Sequence, residues 1–400
     1  MQAKLIGGIL LIVGSAIGGG ILALPIATSE LGFMNSSMVL FLCWAIMTAS
    51  ALLILEVSLW LPQNTNIISM AKATLGKTGA AFAWIIYLLL FYSLLAAYIA
   101  GGSDFFKNLL QLIHIALPNH VVAALFTFVL GYIVYRGIQI VDYANRSLMT
   151  IKFITFFLLI AFISSHISLP KLEGGQLAVF STGMTVAVTS FGFATIIPSL
   201  RSYFKDDIKK LRQAIFFGSL IPLICYLAWD VTVMGVIPRE GSDGLISMLH
   251  SGQSTSAFVN ELSALLHQGT ITSLARTFTS ICLLTSFLVV SLGLVDFLAD
   301  GFKLKKIGKN NFIVCSVALL PPLLIVVINP HIFIAALAYA GIYCIILLII
   351  FPVLMVWRGR YHQNIVAEYQ VFGGKVLLVG LLIGSVLIIG QSIISMAITA

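Results

Sequence analysis

Apolar runs of about 20 residues recur along the whole of this 400-residue chain, and short polar connections between them hold nearly all of its charge. A helix needs about 20 apolar residues to cross the hydrocarbon layer of a bilayer. In lipid, only helices and closed barrels satisfy every backbone N–H and C=O. The residues are 60% hydrophobic and 9% charged, with a mean hydropathy of +1.08. A soluble chain of this length cannot hide that much apolar surface. The sequence therefore predicts an all-α polytopic membrane protein of one domain. We read eleven spans, at about 5–28, 33–60, 80–103, 121–137, 148–168, 177–199, 213–237, 270–299, 312–329, 332–357 and 374–398. The first is too long for the apolar core of a cleaved signal and is read as retained. The eighth is too long to run straight across and is expected to tilt or project.

The formal net charge of +8 is spread in small basic clusters between the apolar runs. That arrangement sets orientation and does not suit nucleic acid. With the N-terminus inside, seventeen Lys and Arg fall on cytoplasmic segments, four fall outside, and Lys152 lies within a span. The C-terminus is then outside. The longest polar stretch, 238–269, is external. In it Phe258, Leu262, Leu265 and Leu266 share one helical face, as in a short helix lying over the outer mouth. Cys43, Cys225, Cys282, Cys315 and Cys344 all sit in apolar runs and read as core residues. The seven His show no metal-ligand spacing.

Residues 14–25 read GSAIGGGILALP, within the first span. Each interior glycine costs a helix about 1 kcal/mol relative to alanine, so Gly14, Gly18, Gly19 and Gly20 followed by Pro25 predict a broken helix. Dense glycine would also let helices pack closely. Span six repeats the pattern in TSFGFATIIPSL, residues 189–200. The breaks lie five spans apart, so the second half would enter the membrane inverted. Paired interruptions of this kind point to a transporter binding site. The repeats would be about 5–168 and 177–357, with 374–398 an added helix.

A broken helix exposes N–H groups on one side and C=O groups on the other, favouring an anion and a cation respectively. An α-amino acid carries both. Gly18, Gly19 and Gly20 are expected to cradle its carboxylate. Carbonyls near Val13, Gly14 and Thr189 would take its ammonium. Ser15, Ala16, Ile17, Ser190, Phe191, Gly192 and Phe193 complete the two breaks.

The glycine stretch and this repeat plan, together with LLILEV (52–57), AAYIAG (96–101), VDYANR (141–146), TSFGF with PSL (189–193, 198–200), GSLIPLICYLAW (218–229), TSFLVVSLGLVDFLAD (285–300) and LPPLLIVVINP with ALAYAG (320–330, 336–341), resemble the amino acid–polyamine–organocation superfamily. More narrowly they resemble its bacterial hydroxy- and aromatic-amino-acid permeases, over nearly the whole chain. Within that family the tyrosine-transporting members are nearest, tryptophan permeases are close, and serine and threonine permeases are further off. The resemblance implies a LeuT-like fold, a bacterial inner-membrane location and proton-driven import of an aromatic amino acid.

Ionisable groups inside spans are costly and are functional candidates by default. Glu56 in span two and Lys152 in span five are expected at similar depth, where they could pair. The resemblance sharpens Lys152. Proton-coupled relatives of this fold hold a lysine where sodium-coupled ones hold a cation between helices one and eight. Thr285 and Ser286 on span eight are expected to face it. Lys152 would then be a fixed or titrating cation substitute, the alternative being a side chain reaching toward the cytoplasmic headgroups. For Glu56 the alternative is a structural hydrogen bond to a neighbouring helix. Asp230 in span seven is a further proton-path candidate. Asp296 and Asp300 are expected to pair with the basic loop 303–309, and Arg201, Asp206 and Asp207 stand at an inner gate or simply mark topology.

An aromatic substrate needs an apolar pocket with a polar end. Phe191 and Phe193, with Tyr92, Tyr98, Tyr339 and Tyr343, are the candidate wall. The chain has no HExxH, GxSxG or GxxxxGK[ST] pattern and no filter-like repeat, which argues against an enzyme, an ATP-driven pump and a channel. No cofactor and no obligate protein partner is implied, only an amino acid, protons and lipid.

Overall fold

Two interrupted helices lie at the centre of the computed structural model, which describes residues 2–63, 65–112, 114–176, 181–251, 255–266, 268–304, 307–365 and 368–399. The first is α1 (Gln2–Ala16), which stops before the non-helical residues 17–19 and restarts as α2 (Gly20–Ala27). A 3-10 turn leads to α3 (Gly32–Leu59). Helix α4 (Ile67–Leu112) turns at Gly76, whose φ of 84° suits glycine alone. Helices α5 (Asn119–Tyr135) and α6 (Ile138–Ser164) follow. The second interruption separates α7 (Ser181–Ser190) from α8 (Ile197–Phe204) by a 3-10 segment, Gly192–Ile196. Then come α9 (Ile208–Met234), α10 (Leu245–Ser251), α11 (Thr255–Leu266) and α12 (Gly269–Gly301). The chain ends with α13 (Gly308–Ile328), α14 (Phe333–Ile345), α15 (Phe351–Tyr361) and α16 (Gly374–Thr399).

Among the described residues nine helical stretches are long and apolar enough to cross a bilayer, not the eleven expected. The glycine break is one reason: it leaves Lys4–Ala16 too short and runs α2 on into α3 as the single stretch Gly20–Leu59. Asn119–Tyr135 also falls short.

Helix α12 packs along α6, α4 along α14, and the half-helices α1 and α7 along α9 and α14. Large apolar side chains such as Phe41, Phe82, Phe128, Phe157 and Phe312 stay exposed around the bundle, as lipid-facing residues do. Two prolines explain local detail. Pro352 cannot donate to the Leu348 carbonyl four residues back, and the Ser50 hydroxyl does so instead, beside a π-helical turn over Ile346–Ile350. Pro321 leaves the Val317 carbonyl free in the same way, and the Tyr92 hydroxyl donates to it at 2.8 Å.

The longest polar stretch contributes α10, packed against α2, and α11, packed against α4 and α12. On α11, Phe258, Leu262 and Leu266 are buried, but Leu265 is 38% exposed and lies off the expected face. All five cysteines are buried and none forms a disulfide.

Candidate functional site

The first break leaves its backbone groups pointing to different elements. The Val13 carbonyl is taken by the Ile17 amide at 2.9 Å. The Ala16 carbonyl accepts from the Tyr226 hydroxyl at 2.8 Å, and the Ile17 carbonyl from the Lys152 ammonium at 2.6 Å. The Gly19 amide donates to Ser286 Oγ at 2.8 Å. Among the described residues, the amides of Gly18 and Gly20 have no acceptor. Glycine is required here by space, not by φ. A Cβ on Gly18 would lie 2.6 Å from Ser286 Oγ, one on Gly19 2.7 Å from the Tyr98 ring, and one on Gly20 2.6 Å from Ser190 Oγ.

At the second break, Thr189 Oγ1 lies 2.9 Å from the Thr185 carbonyl and 3.0 Å from that of Leu337, holding α7 to α14. The Ser190 carbonyl lies 2.8 Å from the Tyr226 hydroxyl. One buried phenol thus sits between the carbonyl ends of both interrupted helices, where its single hydrogen can serve only one of them at a time. The sequence reading gave Tyr226 no role. Its stretch, GSLIPLICYLAW, offered only a tyrosine in an apolar run.

A cavity of about 280 Å³ lies against both breaks. Gly14, Ser15, Ala16, Ile17, Gly18 and Gly20 line it from the first. Thr189, Ser190 and Gly192 line it from the second, joined by Thr195, Ile196 and Ser199. Lys152, Thr285 and Ser286 also reach it. Val13 and Gly19 do not line it: Val13 is buried in the core and Gly19 is turned to Ser286 and Tyr98.

The aromatic wall is only partly the expected one. Phe191 and Phe193 are fully buried and stay out of the cavity, because the 3-10 segment carries them into the core. Phe191 meets Tyr226 edge-on at 5.1 Å. Tyr92 is occupied with Val317, and Tyr339 is 43% exposed on another face. Tyr343 is likewise not in the lining. Of the expected rings Tyr98 lines the cavity, joined on α4 by Tyr87 and Phe91, which stack at 4.7 Å. Their offsets of four and seven residues put them on one helical face, and that period was the available signal. Asn145 also lines the cavity, and among the described residues its buried Oδ1 has no hydrogen-bond partner.

Glu56 and Lys152 do not pair. Glu56 is fully buried and holds Arg360 by a two-pronged contact of 2.7 and 2.5 Å, and it also accepts the Val371 amide at 2.8 Å. A fork of this kind fixes α3 to the end of α15. Thr285 Oγ1 turns back to its own helix, at 2.7 Å from the Ile281 carbonyl. Arg201 at the end of α8 donates to the Ser58 and Leu61 carbonyls of the α3 terminus and to Asp206 Oδ1 at 2.6 Å. Hydrogen bonds from Arg201 and then Gln63 hold the Asp206 carboxyl below the usual carboxylate range. Asp207 caps α9 through the Lys210 amide at 3.0 Å. Of the loop 303–309 expected to pair with Asp296 and Asp300, residues 305 and 306 lie outside the described residues, and among the described residues neither Lys303 nor Lys309 forms an ion pair with Asp300. Among the described residues, no three His, Cys, Asp or Glu side chains converge as a metal would require.

Residues 1–392 match the model of the tryptophan/tyrosine permease family. The tyrosine-specific transport system 2 of Haemophilus influenzae is 33% identical, the match covering 97% of this chain and 96% of that protein. Glutamine transporter 2 of Aliivibrio fischeri is 30% identical, over 98% and 100%. Among solved structures, MhsT in complex with L-phenylalanine superposes with a TM-score of 0.66 at 12% identity, covering 98% of each chain. The fold is therefore that of the LeuT-like transporters, and these relatives are multi-pass transport proteins, not enzymes.

Proposed function

Because this chain belongs to the tryptophan/tyrosine permease family, we propose that it imports an aromatic amino acid together with protons by alternating access, with L-tyrosine as substrate. The observation that carries this reading is the pair of free amides at Gly18 and Gly20 on a cavity that also has an aromatic wall. The amides take the substrate carboxylate. The carbonyl ends near Gly14 and Thr189 take its ammonium. The Tyr87, Phe91 and Tyr98 rings receive its side chain, and a glutamine-sized side chain would leave that wall unmatched.

The buried Asn145 Oδ1 supplies an acceptor for a distal donor. A phenol O–H suits it, and so does an indole N–H, which favours tryptophan as the second reading. Lys152 stands in for a metal cation beside the Ile17 carbonyl, the source of the proposed proton rather than sodium coupling. Spans 1–5 and 6–10 form inverted repeats. In support, the packing of α12 on α6 answers that of α4 on α14 under exchange of the two halves. Counting the interrupted first helix and Asn119–Tyr135 with the nine longer stretches gives eleven crossings, and the excess of Lys and Arg on one side then puts the N-terminus in the cytoplasm and the C-terminus in the periplasm of a bacterial inner membrane.

The test is uptake of labelled tyrosine into sodium-free proteoliposomes, with and without an inward proton gradient. Unlabelled tyrosine, tryptophan, phenylalanine, glutamine or serine would compete. Gradient-stimulated uptake displaced best by tyrosine is the expected result. Displacement best by tryptophan moves the substrate and keeps the mechanism. No uptake of any of them by folded protein defeats the reading.

A further inference from the structure

Asp230 lies four residues before the end of α9 and is fully buried. Its Oδ2 is 2.6 Å from Ser36 Oγ of α3. Ser36 Oγ is 3.1 Å from Thr28 Oγ1, at the end of α2, and Thr28 Oγ1 is 2.8 Å from the Leu24 carbonyl. Among the described residues Asp230 Oδ1 has no hydrogen-bond partner, and the Thr28 hydroxyl, which also lies near the carboxyl, is given to the Leu24 carbonyl. The charged groups on neighbouring elements are engaged elsewhere. Glu30 meets His250 at 3.1 Å, Lys171 donates to the Val236 carbonyl at 2.5 Å, and Arg239 meets Glu240 at 2.7 Å. Among the described residues no cation pairs with Asp230.

Counting hydrogens decides the charge of this cluster. With Asp230 protonated, the O–H groups run one way: Asp230 to Ser36, Ser36 to Thr28, Thr28 to the Leu24 carbonyl. Each hydroxyl then donates once and accepts once, and Oδ1 is a neutral carbonyl oxygen. Without that proton, the single Ser36 hydrogen must turn to the carboxylate, Thr28 loses its donor, and a charged Oδ1 is left bare in a buried site. Uncompensated buried charge of this sort is strongly disfavoured.

We infer that Asp230 is a proton-binding site of this permease, wired through Ser36 and Thr28 to α2, the half-helix that begins at Gly20. The inference rests on the proton-coupled reading above. Asp230 takes its proton from water while that end of the bundle is open, and the completed chain of hydroxyls then ties α2 to α3 and α9. Proton occupancy and the position of the Gly20 amide become linked through the eight residues of α2, about two turns of helix.

The experiment compares gradient-driven uptake of labelled tyrosine with tyrosine–tyrosine exchange at equal pH on both sides, for the wild type and Asp230→Asn in proteoliposomes. Asp230→Asn is expected to keep exchange and lose stimulation by the gradient. Stimulation equal to that of the wild type overturns the inference and leaves proton coupling intact. A wild type that ignores the gradient overturns both. If Asp230→Asn also loses exchange, Ser36→Ala decides, since it retains the carboxyl and removes its hydroxyl partner. A displacement of about one unit in the pH midpoint of driven uptake is then expected, and an unmoved midpoint overturns the inference.

Discussion

Lys152 reaches from α6 to the Ile17 carbonyl at 2.6 Å, so a lysine buried within a span is bound to the break of the first helix. Both groups are buried, and a buried carbonyl left without its charged donor costs about 1–3 kcal/mol. Lys152→Ala is expected to abolish gradient-driven tyrosine uptake while lowering thermal stability by an amount of that size. Uptake in proteoliposomes and unfolding in detergent, measured on one preparation, check it. Full driven uptake by Lys152→Ala would remove this residue from coupling.

Tyr226→Phe keeps the ring that Phe191 packs against and removes only the hydroxyl between Ala16 and Ser190. Both half-helices then lose a shared donor. Uptake is expected to fall by about tenfold, equivalent to about 1.4 kcal/mol, with little change in expression. Initial rates across a range of tyrosine concentrations would show it.

The Gly20 position tests space directly. Gly20→Ala puts a Cβ 2.6 Å from Ser190 Oγ, whereas Gly380→Ala meets nothing within 4 Å. A displacement of about 1 Å at a binding site can cost about a hundredfold. Uptake is expected to fall by about that factor in Gly20→Ala and to stay unchanged in Gly380→Ala, as parallel assays would reveal.

Glu56 has a structural duty. Glu56→Ala leaves Arg360 buried without its carboxylate and is expected to destabilise the protein by about 3–5 kcal/mol. Arg360→Ala should do about the same, and the double variant should lose less than the sum. Thermal unfolding of all three measures this. Protein that stays folded should still respond to the proton gradient.

Asp206 gives a pH signature. Its carboxyl is held below the usual range in the folded protein by Arg201 and Gln63. The stabilisation is therefore present in full above the ordinary carboxylate value, about 3.9, and is lost as pH falls through the depressed folded value. The stability difference between the wild type and Asp206→Asn should be flat at neutral pH and vanish in strong acid. A denaturation series across that range tests it.

Periodicity and composition determined the membrane class, the two interruptions and the glycine positions at the first of them, because apolar run length and helix propensity are local properties. Lys152 also stood out locally, as a charge within an apolar run. Tertiary structure alone decided which partners these groups meet. Glu56 and Lys152, expected near one another by depth, are claimed instead by Arg360 and Ile17, at separations of 304 and 135 residues. Tyr92 was a reasonable aromatic candidate until Pro321 left a carbonyl for it to satisfy, and Tyr87 and Phe91 gained the cavity because one helix turn rotates them toward it. A sequence shows which groups are costly to bury. Only the packed chain brings each of them to the hydrogen-bond partner that offsets that cost.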